Sequence, residues 1–88
     1  MKLSSKRELY EYLVLLESRL RSRGSEALSK GLAAAARMAN SIPATEFIGE
    51  SRIALRRVLA EENGILSRIE STELQDVLIQ LDAAVDRR

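Results

Sequence analysis

Apolar residues recur at helical spacing in four stretches of this chain. Ser5-Lys6-Arg7-Glu8 has the form of a capping box, in which a serine oxygen and a Glu carboxylate satisfy the open amides of a helix start. Leu9, Tyr12, Leu13, Leu16 and Leu20 follow on one helical face, and Gly24 supplies a stop. Ser25 is placed to cap a second helix, with Glu26 favourable at its positive end. Its stripe is Leu28, Leu32, Ala35, Ala39 and Ile42. Gly31, Ala35 and Ala39 repeat every four residues, a spacing that lets another helix approach closely. Pro43 closes this segment, because the residue before a proline is pushed out of the α region.

Thr45 is the expected cap of a third helix with the stripe Phe47, Ile48, Leu55, Val58 and Leu59. Asn63-Gly64 marks its end, with Gly64 able to turn left-handed. Residues 65–71 read either as a connection or as a short helix. Ile65, Leu66 and Ile69 make it a packed stretch in either case. Thr72 with Gln75 then reads as a second capping box, opening a fourth helix with the seam Leu74, Val77, Leu78, Leu81, Ala84 and Val85.

No period-2 alternation competes with these stripes. The expected fold is all-α, an up-and-down antiparallel bundle of about four helices at roughly 5–23, 26–41, 46–63 and 73–86, since short connections favour antiparallel neighbours. It is read as one domain over 1–88, with 1–4 and 87–88 frayed.

Assigning one stripe per helix leaves apolar side chains over. On the first helix Val14 falls off the stripe near Tyr10. On the third, Ile53 lies nearly opposite Phe47 and Val58, among Arg56, Arg57, Gly49 and Ala60. On the last, Ile79 leaves the seam. Single exposed apolar residues are ordinary on soluble proteins, and a helix between two neighbours buries a wide arc. The sharper reading makes Ile53, Arg56, Arg57, Tyr10, Val14 and Ile79 a partner surface. Ile53 leads it, because an apolar centre with flanking arginines suits an interface.

Composition narrows the chemistry. With 88 residues the chain buries only a modest core, so a partner subunit is one route to added stability. There is no Cys and no His, which excludes disulfides, thiolate or imidazole metal ligation and a histidine general base. Fourteen basic and 13 acidic residues give a net charge of +1, with no global pull toward nucleic acid. The distribution is uneven: residues 1–44 carry eight basic and four acidic side chains, residues 45–88 six and nine. Halves of opposite sign can attract within one chain, or between two. No apolar run reaches membrane-spanning length and the N-terminus lacks a signal-like core, so the expected location is cytoplasmic.

Two further chemistries are available. Glu46 and Glu50 share a helical face and could hold a divalent ion, but acids near a helix N-terminus are favoured by its dipole anyway. Adjacent Glu61-Glu62 point around the helix in two directions and form no dyad. Leu32 to Leu55 has the outline of a helix-turn-helix. Its second helix would open on Glu46 and Glu50, which phosphates repel, with Arg52, Arg56 and Arg57 only later. The basic end Arg19, Arg21 and Arg23 suits a helix C-terminus without any ligand.

The expectation is therefore a small non-catalytic interaction or regulatory module that associates with itself, as a possible homodimer, or with another protein. Nucleic acid is disfavoured as a partner. No cofactor, metal, membrane or small-molecule substrate is indicated. A helix-turn-helix-like DNA-binding regulator is the first alternative, and a minimal carboxylate enzyme the second.

Overall fold

A computed structural model describes residues 2–86, without the side chain of Asp86. The elements are α1 (Lys6–Ser22), α2 (Glu26–Arg37), a single 3-10 turn (Met38–Asn40), α3 (Ala44–Glu61) and α4 (Arg68–Asp86). There are no strands among these residues, and the helices pack as a small bundle. The closest pairs are α1 with α2, α2 with α3 and α3 with α4. Arg23 at the end of α1 reaches Glu70 at the start of α4, and Leu3 before α1 reaches Gln80 near the end of α4. Each helix thus runs against its neighbours and the ring closes between α1 and α4.

The helix ends follow from local chemistry. Ser5 Oγ accepts from the Glu8 amide at 3.2 Å, as the capping box requires. The Glu8 carboxylate reaches one residue further back than the motif implies. It accepts from the Ser4 amide at 2.7 Å and from the Ser4 hydroxyl. After α1, Gly24 takes φ 86°. Gly24 N–H donates to Arg21 O at 3.2 Å and Ser25 N–H to Leu20 O at 2.9 Å, the paired bonds of a Schellman motif. Ser25 occupies the N-cap position of α2 but makes no side-chain cap bond.

Three sequence expectations are corrected at the starts of α3 and α4. Pro43, not Thr45, is the N-cap of α3; its carbonyl accepts from Phe47 N–H at 3.0 Å, so the helix begins a residue before Thr45. Helix α4 begins at Arg68 instead of residue 73. Its box is Ser67–Glu70: Glu70 N–H donates to Ser67 Oγ at 3.1 Å and Ser67 N–H to Glu70 Oε1 at 2.9 Å. Thr72 lies inside the helix, its hydroxyl donating to Arg68 O at 2.9 Å. The turn before it needs left-handed backbone at Asn63 (φ 53°) and Gly64 (φ 83°). Glu62 holds that turn, accepting from Gly64 N–H at 3.0 Å and Leu66 N–H at 3.1 Å. The third correction is Ile69. With α4 extended backward, it lies on the far side from the Leu74–Leu81 seam and is 81% exposed instead of packed.

The core otherwise follows the stripes. Leu9, Tyr12, Leu13, Leu16 and Leu20 of α1 are all buried, facing Leu32, Phe47, Leu55, Val58, Leu74 and Val77. Leu66 from the connection joins them, with Ile65 half-buried. Leu59 departs from its stripe and is 36% exposed. Ala35 and Ala39 are buried, but Gly31 is not covered: a Cβ there would meet nothing within 4 Å. The close helix approach expected at Gly31 does not occur within the chain. Of the ends expected to fray, Met1, Arg87 and Arg88 lie outside the described residues. Leu3 packs against the core, and its amide donates to Gln80 Oε1 at 2.7 Å.

Candidate functional site

The six candidate residues fall in three places. Ile53 and Arg57 line a groove between α2 and α3, with Gly31 on its α2 wall. Ala27 and Met38 of α2 and Glu50 and Ala54 of α3 also line that groove. Arg56 and Ile79 line a second groove, between α3 and α4, together with Leu59, Leu78 and Asp82. Tyr10 stands on α1 beside Lys6, Arg7 and the 3-10 turn, at 41% exposure, with Val14 one turn further along. Ile53 and Ile79 are the two most open of the candidates, at 64% and 66%. The structure brings Ile53 and Arg57 together, and Arg56 and Ile79 together. It leaves Tyr10 and Val14 on a different helix.

Each cation of the set has a partner within the chain. Arg56 Nη2 lies 3.0 Å from both carboxylate oxygens of Asp82, and Arg52 Nε donates to the same carboxylate. These two guanidiniums hold the Asp82 carboxyl below its ordinary range, Arg52 contributing most. Arg57 Nε pairs with Glu61 at 3.1 Å on open surface, where such pairs are weak. Glu46 and Glu50 have no ion pair among the described residues.

A polar network joins α1 to α4. Arg23 forks onto Glu70 with contacts of 2.6 and 3.0 Å, and Arg19 lies 3.4 Å from Glu70 and 3.7 Å from Glu73. The Arg23 bond, helped by the Ser67 amide, pulls the Glu70 carboxyl down to about 2. Arginines from the basic half thus meet acids of the acidic half inside one chain, at the basic end of α1 noted in the sequence. Beneath them Tyr12 is 2% exposed and its hydroxyl has no hydrogen-bond partner. Burial first, and the Glu73 carboxylate second, push its phenol well above the ordinary range.

The other chemistries find little geometric support. Among the described residues no group of three or more His, Cys, Asp or Glu side chains could hold a metal ion. Glu62 is engaged in the turn after α3. The exposed start of α3 carries Glu46 and Glu50, while Arg52 and Arg56 are turned to Asp82. No described helix is long and apolar enough to cross a membrane.

Sequence reasoning missed Ile69 and Leu15, exposed at 81% and 43%. It also passed over Glu50 as part of the Ile53 face. The four-residue and seven-residue offsets from Glu50 to Ala54 and Arg57 were the signal available for it. Comparison with protein-family models, with curated proteins and with solved structures finds no match to this chain.

Proposed function

We propose that this chain is a small non-catalytic interaction module that engages a protein partner, in the first instance a second copy of itself, through a helical face. The observation that carries the reading is the pair Ile53 and Ile79. Both remain about two-thirds exposed after the core has closed, each beside a groove with charged residues on its rim. Exposed apolar side chains of this size grouped with grooves and rimmed by charge suit association surfaces. A core this small also gains stability from a partner. A cytoplasmic location, with which the Cys-free composition is consistent, belongs to the same proposal.

Sedimentation equilibrium of the purified chain tests the reading. The mass should climb from 9.8 kDa toward that of a dimer as concentration rises. A mass fixed at 9.8 kDa up to about millimolar concentration would contradict self-association.

A further inference from the structure

Resting on the self-association reading, we propose that the second copy docks on the α2–α3 groove, with the two α3 helices antiparallel across a twofold axis close to Ile53. Glu46, Glu50, Ile53 and Arg57 recur at offsets of four, three and four along the outer face of α3, and all four are exposed. Acids thus lie on one side of the isoleucine and a base on the other. Antiparallel pairing about Ile53 sets Glu50 of each copy toward Arg57 of the other, giving two equivalent ion pairs from one patch, as an isologous contact demands. Parallel pairing would place Glu50 on Glu50 and Arg57 on Arg57. Glu50 has no ion pair of its own among the described residues, and the Arg57–Glu61 pair is exposed enough to share. Glu61 and Glu46 of opposite copies approach only at the outer ends of the seam, where solvent screens them best.

Shape supports the same occupant. Beside Ile53, Gly31 leaves open space on the α2 wall of the groove, with Ala27, Ala34 and Ala35 around it. That socket accepts an apolar side chain, and Ile53 of a second copy is the one that the twofold axis delivers. Helix α3 alone is too narrow to suffice. Its 18 residues make a strip roughly 27 Å long and about 10 Å wide. This is on the order of 270 Å², against about 800 Å² per partner in a standard interface. The contact must therefore extend over α2, which is where the groove lies.

The chain has no cysteine, so a single introduced thiol reports position cleanly. Under mild oxidation Ile53→Cys should cross-link to a covalent dimer, since its two copies straddle the axis within disulfide reach. Ile79→Cys, equally exposed but on the far groove, should stay monomeric on the same gel. Under dissociating conditions Gly31→Leu should raise the melting temperature, since a helix glycine is replaced where there is open space, yet it should weaken association about tenfold or more by filling the socket. Glu50→Arg and Arg57→Glu should each weaken self-association, and mixing the two variants should restore it as a heterodimer. Circular dichroism confirms that each variant folds. A wild-type dimer cross-linked by Ile79→Cys and not by Ile53→Cys would overturn this surface while leaving self-association standing. A wild type that stays monomeric at all concentrations would overturn both.

Discussion

Removing one oxygen from the core tests how the polar groups of the bundle are accommodated. Tyr12 is 2% exposed, and its hydroxyl has no partner inside the bundle. A buried hydroxyl without a partner costs about 1–3 kcal/mol. Tyr12→Phe keeps the ring and its packing, so at neutral pH the variant should be at least as stable as the parent. The pH dependence sharpens the test. Burial and the neighbouring Glu73 raise the Tyr12 phenol above its ordinary value of 10. The native state then holds its proton where the unfolded chain has lost it, so stability falls as pH rises above 10. At pH 11 this linkage amounts to about 1.4 kcal/mol. That is about 6–11 °C of melting temperature for a domain of this size. Thermal melts of both proteins from pH 7 to 11, followed by circular dichroism, should show the Tyr12→Phe advantage widening above pH 10. Lysine titration is common to both and cancels in the difference. A variant that melts several degrees below the parent at pH 7, or a gap that stays constant with pH, would refute the picture of a stranded, proton-retaining phenol.

Other substitutions probe the rest of the framework. Ser51 is fully buried in α3 with an unpartnered hydroxyl, so Ser51→Ala should raise the midpoint of urea unfolding through better helix propensity and a removed desolvation cost; a lowered midpoint would mean that the hydroxyl carries a bond. Glu70 has a carboxyl held at about 2 by Arg23, so it contributes stability above its unfolded value of 4.5 and loses it as pH falls from there toward 2. Urea titrations at pH 6 and pH 3 should therefore differ less for Glu70→Gln than for the parent, and an equal difference would remove Glu70 from the acid response. Gly64 has φ 83° with open space around it, so Gly64→Ala should cost about 1 kcal/mol in chemical unfolding from backbone strain alone; an unchanged midpoint would contradict the left-handed turn.

Much of the fold was legible because burial follows helical period. Every member of the Leu9–Leu20 stripe is buried, and Gly24 stops α1 as its missing Cβ allows. The start of α4 was not legible, since Ser67-Arg68-Ile69-Glu70 and Thr72-Glu73-Leu74-Gln75 both satisfy the capping-box pattern. Tertiary anchoring decides between them. Leu66 enters the core, Glu62 ties its amide to the end of α3, and the helix can then begin at once. Ile69 follows from that choice, rotated to the solvent side. Thr45 was overtaken in the same way, because the Pro43 carbonyl opens α3 first.

For the candidate surface, the exposures of Ile53, Ile79, Val14 and Tyr10 could be read from angular position on each helix. Their grouping could not, because it depends on which helices are neighbours. Ile53 shares its groove with Gly31 of α2, and Ile79 shares its own with Leu59 of α3. The small-residue repeat showed where a helix could approach, yet at Gly31 the chain itself supplies none.

The central claim is that Ile53 serves association and not folding. Ile53→Glu measured for both properties on one sample tests it most directly. The account predicts a melting temperature within a few degrees of the parent under dissociating conditions, with the dimer dissociation constant raised about thirtyfold or more. Collapse of the fold with the isolated chain, or an unchanged dissociation constant, would contradict it.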